Sequence, residues 1–468
     1  MTDLTKYEMI VGLEVHAELL TVTKIFCSCS ASYGAAANTQ ICPICMGLPG
    51  TMPRLNKNAV RLGIRAGLVT DSLIARRTHF DRKNYFYPDL PKGYQITQYD
   101  EPLCRGGFIT VDTESGERRI GINRIHLEED AGKLLHEGTV TKVDYNRAGV
   151  PLIEIVSEPD IRSADEAKAY LSTLRERLVF AGVSDCKMNE GSMRCDVNLS
   201  VRRLGDSAYG TRTEIKNVNS IAFVGKAIAY EFKRQAEILE VGGKIVPETR
   251  RYDEASGETV LMRKKESAAD YRYLREPDIP DIMITEGEIE AIRGEIPPMP
   301  DVLRAQFVAA GIKPDAAYRL AETPAVAAYF SAVLKKTENP TAAANLLIGE
   351  IFPEGDSAPR LPAAALARIA DLVGEKKITA ASARRLTHLC GEDDPDTVAE
   401  RERMLVITDE ATIEALAKEA IHRNPDVIAE IRAGKEKAKE VLVGAVMKQS
   451  RGRADAAAVR RAIDALML

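Results

Sequence analysis

The sequence predicts an α+β protein: an N-terminal antiparallel-sheet domain, then an all-α helical domain, then a small all-α tail domain. Up to about residue 293, several short segments alternate apolar and polar residues, which is the pattern of strands with one buried and one polar face. From Gly294 the composition changes to alanine-rich segments with helical periodicity, interrupted again near Asp394-Pro-Asp396. We therefore expect domains at residues 1–293, 294–396 and 397–468.

Length and composition are those of a globular protein with more than one domain. A chain of 468 residues is too long for one hydrophobic core, and its 45% hydrophobic and 28% charged residues fall in the globular range. No apolar run is long enough to span a bilayer, and the N-terminus lacks the features of a signal peptide, so we expect a cytoplasmic location. The net charge of −5 means that any nucleic-acid contact must use a local basic surface.

The first predicted strand, residues 7–19, carries acids and a histidine on one face. The odd positions from 11 to 19 are apolar, and the even positions include Glu14, His16 and Glu18. Glu14 and His16 point the same way, so both are candidates to hold one cation. The alternative is a strand whose polar face meets solvent.

Four of the eight cysteines cluster at Cys27-x-Cys29 and Cys42-Pro-Ile-Cys45. Disulfide frameworks are rare in a reducing compartment, whereas two close cysteine pairs joined by a short loop are what a tetrahedral zinc site needs. Four protein ligands leave zinc no open position, so we expect this knuckle, residues 27–45, to be structural. Free buried thiols are the alternative.

Two features follow the knuckle. Asn56 has the side chain of an N-cap and predicts a helix that runs to about Val69. Residues 80–96 are rich in aromatic residues, cations, proline and glycine but show no helical or strand period. We interpret them as a lid or binding segment. A plain surface loop is the alternative.

Three acids, Glu128, Glu129 and Asp130, end the next predicted strand, which follows a strand–turn–strand segment turning at residues 113–117. Alternation puts Glu129 on the face of Leu127, and it puts Glu128 and Asp130 on the opposite face. The sequence does not decide which of these faces meets the acidic side of the first strand.

Glu154 is the acid that is hardest to explain as a surface residue. It lies between two isoleucines in a predicted strand at residues 151–156, and a charge inside an apolar strand is costly unless it is paired or bound to metal. After this strand, a capping box from Ser163 to Glu166 predicts a helix that ends near Gly182.

Two later segments, residues 192–203 and 211–216, alternate in the same way and complete a set of five predicted strands with acids on one side. A concave, carboxylate-rich surface suits Mg²⁺, a hard cation held by a few carboxylates plus water and phosphates. A histidine ligand also admits Mn²⁺. No P-loop and no GxGxxG is present, so a nucleotide has to be held without either cradle. The acids concerned are Glu14, Glu129, Glu154, Asp196 and Glu214.

The second half of the chain is predicted to be helical. Three or four further helices are expected after the break at Asp394. From Ile431 onward there are 9 Lys and Arg against 4 Asp and Glu, and Met447–Arg453 is fit for a phosphodiester backbone. A solvated basic helix is the alternative. Before that break the predicted helices are 302–311, 316–336, 340–351, 361–373 and 379–389.

These motifs together resemble one family, the GatB subunits of the GatCAB aspartyl/glutamyl-tRNA amidotransferase, over nearly the whole chain. The first of them reads Val-Gly-Leu-Glu-Val-His. The segments that carry the resemblance are Val11–His16, Phe80–Ile96, His126–Lys133, Asn146–Asp160 and Asp270–Tyr273.

The resemblance implies a cradle domain, a helical domain and a tail of the YqeY type that meets tRNA. It implies that ATP activates the side-chain carboxylate of a misacylated Glu-tRNA(Gln) or Asp-tRNA(Asn). Ammonia from the amidase subunit GatA would then amidate it, and the small subunit GatC would complete a heterotrimer. The implied cofactors are ATP and Mg²⁺ or Mn²⁺. The four-cysteine knuckle occurs in only part of the family, so zinc is not required for the chemistry.

The resemblance also assigns residues. It implies a catalytic metal site of Glu14, His16, Glu129 and Glu154, with Glu128 as a substitute for Glu129. The phosphate and carboxylate pocket would use Glu128, Lys133, Asp196, Glu214 and Lys216. The mouth of an ammonia tunnel would lie at Lys83 and Tyr85, and tRNA would meet Lys448, Arg451 and Arg453.

Two other functional classes remain open from the residues alone. A zinc-containing, non-catalytic RNA-binding protein would explain the knuckle and the basic tail but not the acid-lined strands. A stand-alone metal-dependent hydrolase using Glu14, His16 and Glu154 would explain those acids but not the tail.

Overall fold

The computed structural model of the chain describes residues 2–114, 116–264, 271–351, 359–432 and 435–467. Ser115, in the predicted turn, and Asp270, in the last family motif, lie outside these residues. The chain divides into two compact units, Met1–Met299 and Pro300–Leu468. This boundary falls in the change of composition that the sequence shows. The further division at residue 396 stays a prediction.

Unit 1 is built on a ten-stranded sheet in the order β15-β14-β13-β12-β1-β11-β8-β6-β2, with β7 also paired to β8. Its strands and helices are β1 Tyr7–Glu18, α1 Lys57–Val69, β2 Leu73–Ile74, β3 Arg77–Thr78, β4 Asp81–Asn84, β5 Tyr94–Thr97, β6 Cys104–Arg105, β7 Phe108–Thr113, β8 Gly116–Glu129, β9 Lys133–Glu137, β10 Val140–Asp144, β11 Pro151–Ser157, α2 Ala164–Phe180, β12 Met193–Arg203, β13 Thr213–Val218, α3 Ile221–Glu240, β14 Glu248–Asp253, β15 Glu258–Lys264, β16 Leu274–Arg275, β17 Ile282–Met283 and α4 Glu286–Glu295.

β1 is the central strand of the sheet, and its predicted alternation is confirmed. Val11, Leu13 and Val15 are at most 1% exposed and join one core with residues of α1, α2 and α3. Pairing is antiparallel throughout the ten strands except between β13 and β14, which run parallel. The exception has a simple cause: α3 lies between these two strands in the chain and supplies the crossover that a parallel pair needs.

The local signals were largely correct. Asn56 caps α1 by accepting the amide N–H of Asn58. Ser163 caps α2, but the capping box is shifted, because Glu166 accepts the amide N–H of Arg162 rather than that of Ser163. The predicted loop at residues 80–96 is in part wrong. Its two ends pair as the hairpin β4–β5, and strands of four residues are too short to display a period.

Unit 2 is helical, as predicted. One predicted helix, 316–336, is wrong: it is broken before Pro324, which begins α7 with Thr323 as its N-cap, since proline lacks the N–H that an interior position needs. A π-helical turn, Leu347–Ile351, follows α8. The helices are α5 Pro300–Ala309, α6 Pro314–Leu320, α7 Pro324–Leu334, α8 Pro340–Leu346, α9 Ala363–Gly374, α10 Ala380–Leu389, α11 Pro395–Arg401, α12 Glu410–Arg423, α13 Pro425–Arg432, α14 Lys439–Gln449 and α15 Ala456–Met467.

Across the described ranges, no helix combines the length and the apolar character that crossing a membrane requires.

Glu231 of α3 ties the helix to the far edge of the sheet. Its carboxylate is fully buried and accepts hydrogen bonds from Arg234 at 2.6 and 2.9 Å and from Thr259 of β15 at 2.7 Å, and Arg250 of β14 lies 3.5 Å away. Removing one partner of a buried ion pair leaves the other charges uncompensated.

We predict that Glu231→Ala lowers the free energy of unfolding by about 3–5 kcal/mol, measured by urea unfolding of the full chain. Glu290→Ala is the matched control. Glu290 is also a helical glutamate paired with an arginine three residues later, but its side chain is 55% exposed, and we expect a change below about 1 kcal/mol. Equal losses in the two variants would contradict the role assigned to Glu231.

Candidate metal-binding active site

The polar face of the five central strands collects the charged side chains, because residues opposite each other in register share a face. His16 of β1 stands opposite Arg194 of β12 on one side and opposite Glu154 of β11 on the other. Glu154 in turn stands opposite His126 of β8. One row of ionisable groups therefore crosses four strands.

His16, Glu128 and Glu154 form the tightest group on this face. The Nε2 atom of His16 lies 3.2 Å from Oε2 of Glu154 and 3.4 Å from Oε1 of Glu128. One ligand atom from each of the three residues lies within 4.8 Å of the others. One imidazole and two carboxylates are a donor set that divalent cations such as Mg²⁺ and Mn²⁺ accept.

The pKa values of these groups show a site with too little positive charge. Burial opposes the charge of His16, but Glu154 and Glu128 prevail and raise its pKa to about 9. Burial and the charge of Glu154 raise the pKa of Glu128 to about 7, and burial lowers that of His126 to about 4. Burial would raise the pKa of Glu154, but the adjacent His126 and His16 hold it well below its usual range. A cation at this position would take over the role of the proton on His16.

A second acidic group, Glu14, Asp196 and Glu214, lies beside the first, again with ligand atoms within 4.8 Å of one another. Nζ of Lys216 lies 2.7 Å from Asp196 and 3.0 Å from Glu214, and the Asn198 amide donates to Glu14 at 2.8 Å. Burial and neighbouring carboxylates raise the pKa of Glu14. This group is already partly neutralised by its lysine.

Lys83 brings a further positive charge to the first acidic group. Burial opposes its charge, but Glu128 and Glu154 prevail and raise the pKa of Lys83. Its ammonium lies 5.0 Å from the ring centroid of Tyr271 and 6.0 Å from that of Tyr85, and burial raises the pKa of Tyr85 to about 12. Lys83, in strand β4, and Tyr85, directly after it, thus lie beside the metal group.

The structure corrects the placement of Glu129. Its side chain lies on the core face of β8, where it pairs with Lys92, one of whose contacts is 2.6 Å, and accepts the amide N–H of Ile96 at 2.9 Å. Glu128, the neighbour that the sequence left as a substitute, takes the place beside His16. Glu14 also leaves the predicted four-residue set, because the register puts it opposite Asp196 and not opposite Glu154.

Lys133 is not brought to the site either. It begins β9, which pairs with β10 outside the ten-stranded sheet, and it is exposed. The sequence patterns did not single out three residues of the polar face: His126, Arg194 and Asn198. The signal was available, because each of them alternates with an acid that was selected on the same strand.

The four cysteines of the knuckle come together as predicted. Their sulfur atoms lie within 4.8 Å of one another. A tetrahedral zinc site with Zn–S bonds of about 2.3 Å has sulfur atoms about 3.8 Å apart, so the cluster fits this ion. A hydrogen bond from Cys27 outweighs burial and lowers the pKa of Cys45 to about 4. A cavity of about 190 Å³ adjoins the cluster and is lined by Lys24, Lys92 and Glu129, among others.

The three basic residues selected in the tail lie at one end of α14 in unit 2. Lys448 is in the last turn of α14 and is exposed, and so is Arg451, which has a positive φ of 54° in the turn that follows. Arg453 is half-buried, and its Nε donates to the carbonyl oxygen of Ser450 at 3.1 Å. The turn therefore presents cations close together.

Comparison with known proteins finds matches along most of the chain. A family model described as the GatB/GatE catalytic domain matches residues 9–290, and one described as the GatB domain matches residues 328–467. Three relatives are each named as the GatB-type subunit of an aspartyl/glutamyl-tRNA(Asn/Gln) amidotransferase. The protein of Caldicellulosiruptor saccharolyticus is 48% identical over 466 residues, covering 96% of this chain and 97% of its own. That of Caldanaerobacter subterraneus subsp. tengcongensis is 48% identical over 462 residues, with coverage of 96% and 97%. That of Clostridium botulinum is 44% identical over 468 residues, with coverage of 98% and 98%.

Glu18, at the end of β1, gives the polar face a pH dependence that can be measured. Burial and then the charge of Asp130 raise its pKa from 4.5 to about 7. An acid whose pKa is raised by folding makes the folded state hold a proton that the unfolded state has lost. Stability is therefore lost as pH rises from about 4.5 through 7, by up to about 3 kcal/mol.

We predict that Glu18→Gln raises the free energy of unfolding at pH 8, by up to about 3 kcal/mol, and leaves it nearly unchanged at pH 4. Urea unfolding at the two pH values measures this. Glu137→Gln, in an exposed strand position, is the control and should show no gain at either pH. A gain for Glu18→Gln that is the same at pH 4 and pH 8 would contradict the assignment.

Proposed function

The chain belongs to the GatB family of aspartyl/glutamyl-tRNA(Asn/Gln) amidotransferase subunits, and we propose that it converts misacylated Glu-tRNA(Gln), Asp-tRNA(Asn) or both into Gln-tRNA(Gln) and Asn-tRNA(Asn). It works with ATP as one member of a heterotrimer. The amidase subunit GatA supplies ammonia, and the small subunit GatC completes the assembly.

The reaction needs activation because a carboxylate has no good leaving group. An oxygen of the substrate carboxylate attacks the γ-phosphorus of ATP, and the bond to ADP breaks. The product is an acyl phosphate. Ammonia then adds to the carbonyl carbon, phosphate leaves with the electron pair of the C–O bond, and the nitrogen loses a proton to give the amide. Phosphoryl transfer of this kind needs positioning and charge stabilisation rather than a protein nucleophile.

The observation that carries this proposal is the pair of acidic groups on one continuous sheet face. We assign Mg²⁺, or Mn²⁺, to His16, Glu128 and Glu154, whose donor atoms already lie close together. When bound, the ion would offset the negative charge of phosphate oxygens. Glu128 takes the position that the family resemblance gave to Glu129.

The second acidic group and its lysine form the pocket for the phosphate and the substrate carboxylate. Lys216 holds Asp196 and Glu214 in place and keeps a positive charge at the polar face. Glu14 connects the two groups, because it stands next to His16 along β1 on the same face. The pKa values of these groups keep most of the charges close to balance before substrates arrive.

Lys83 and Tyr85 are proposed as the mouth of the ammonia route. Their position beside Glu128 and Glu154 supports this, because ammonia has to reach an acyl phosphate formed at that group. A route closed to water also keeps ammonia unprotonated. The described part of the chain shows Tyr271 and Tyr273 packed against the same segment.

Zn²⁺ is proposed for Cys27, Cys29, Cys42 and Cys45, as a structural ion with no substrate position. The alternative of a non-catalytic zinc-containing RNA-binding protein is not supported, since residues 9–290 match a catalytic-domain family. A stand-alone hydrolase leaves the match of residues 328–467 unexplained.

The central test is inorganic phosphate release from ATP by the heterotrimer with Mg²⁺. We predict that release requires misacylated Glu-tRNA or Asp-tRNA rather than uncharged tRNA. It should fall by about 100-fold or more in Glu154→Gln and in Glu128→Gln, because each removes a negatively charged ligand of the ion. Glu129→Gln should retain phosphate release within a few-fold, since this carboxylate lies on the other face.

Glu137→Gln, far from the polar face in β9, is the control for this series. Phosphate release that ignores aminoacylation, or that survives in Glu154→Gln, would contradict the proposed activation. Loss in Glu129→Gln with retention in Glu128→Gln would reverse the assignment of the two neighbours.

Binding of tRNA is proposed at the end of α14. We predict that Lys448→Ala and Arg451→Ala weaken tRNA binding and that each lowers the slope of log affinity against log salt concentration by about 1, as the loss of one phosphate contact does. Filter binding or fluorescence anisotropy at several salt concentrations measures both quantities. Arg453→Ala should act in the same direction.

Lys418→Ala is the control for the tail variants, because Lys418 is an exposed lysine on α12 that pairs with Glu414. A salt slope that is unchanged in the α14 variants, or that falls equally in Lys418→Ala, would show that tRNA contacts lie elsewhere.

A further inference from the structure

Lys24 is a cation buried beside the cysteine cluster. It lies between β1 and α1 in the chain, and it is 0% exposed. Its ammonium donates to the carbonyl oxygen of Tyr145 at 3.2 Å and lies 3.7 Å from the sulfur of Cys45. Within the described residues, no ion pair joins Lys24 to an acid. The nearby carboxylate of Glu129 is held by Lys92.

A buried ammonium is costly unless a negative charge lies next to it. A neutral thiol is a weak acceptor and supplies no such charge. Four cysteine thiolates around a divalent cation, in contrast, carry a net charge of −2. The position of Lys24 therefore makes physical sense beside a loaded cluster, and much less beside four protonated thiols.

We propose that Lys24 is the counter-charge of the metal-loaded cysteine cluster: its ammonium donates to the sulfur of Cys45 and offsets part of the negative charge that four thiolates leave on a divalent cation. Residues next to the ligands commonly orient them and adjust metal affinity in this way. The inference rests on the proposed zinc site but not on the transamidation reaction.

The same lysine links the cluster to the start of an active-site strand. Tyr145 belongs to the loop that leads into β11, the strand of Glu154. The loop is tied to the knuckle at other points: the Asn146 side chain accepts the amide N–H of Gln40 at 2.8 Å, and the amide N–H of Ile25 donates to the carbonyl oxygen of Gly149 at 2.9 Å. Lys24 thus connects the metal cluster with this loop through one ammonium group.

The first experiment compares Lys24→Met with the wild type as full chains purified with zinc. Methionine keeps most of the length of the side chain and removes its charge. We expect zinc release to a chromophoric chelator to be about 10- to 100-fold faster in the variant. We expect its melting temperature to be lower than that of the wild type in the zinc-loaded state but not in the zinc-stripped state, where the lysine has lost its counter-charge.

Lys142→Met is the matched control, because Lys142 is an exposed lysine on β10 that pairs with Glu137. It should leave zinc release and both melting temperatures unchanged. Unchanged zinc release in Lys24→Met, with equal melting-temperature losses in the loaded and stripped states, would overturn the inference and leave Lys24 a packing residue held by Tyr145. A wild-type chain that takes up no zinc would instead overturn the zinc site itself. Neither result bears on phosphate release.

A measurement on the wild type alone keeps the inference testable if Lys24→Met does not fold. Amine acylation followed by mass spectrometry should leave Lys24 unmodified in the zinc-loaded chain while Lys142 reacts. After zinc removal under reducing conditions, Lys24 should react, because a buried ammonium without its counter-charge either becomes neutral or moves to solvent. Protection of Lys24 that persists after zinc removal would overturn the inference.

Discussion

The two-residue period of the five central strands places every charged group of the candidate active site. β1 lies in the middle of the sheet, and its odd-numbered residues are buried against a core shared with α1, α2 and α3. Because that face is fixed by packing, the even-numbered residues Glu14 and His16 have to face the other way. The adjacent strands are held in register by backbone hydrogen bonds, so their acids arrive at the same surface.

This arrangement stores electrostatic repulsion that protein groups relieve only in part. A proton on His16 lies between Glu128 and Glu154, and Lys216 lies between Asp196 and Glu214. The raised pKa values of Glu14, Glu18 and Glu128 are the measure of what remains. A surface of this kind favours metal ions, since a divalent cation supplies the missing charge at the point where it is needed. Stability is given up for binding, as is common at functional sites.

The cysteine knuckle relates to the polar face through backbone rather than through ligands. Its sulfur atoms lie on the opposite side of β8, next to Lys92 and Glu129, in a cavity separate from the polar face. Hydrogen bonds from the knuckle reach the loop before β11, and Lys24 makes one of them. A structural ion can thus support the strand of Glu154 without contacting any substrate, which agrees with a role that the chemistry itself does not require.

The sequence by itself determined the existence and type of most elements, the caps at Asn56 and Ser163, the cysteine cluster and the family. These depend on local patterns, which a single chain displays without its neighbours. The break at Pro324 is a local signal of the same kind, although the helical period of 316–336 masks it. What only the tertiary structure decided was the choice between alternatives that a pattern leaves equal. Period 2 says that Glu128 and Glu129 face opposite ways, but only pairing with β11 shows which one meets His16. Register also divides the acids into two groups and keeps Lys133 outside both, and packing around Cys45 gives Lys24 its place. The physical reason is common to all of these: alternation fixes relative direction within a strand, while absolute direction depends on which face the rest of the chain buries.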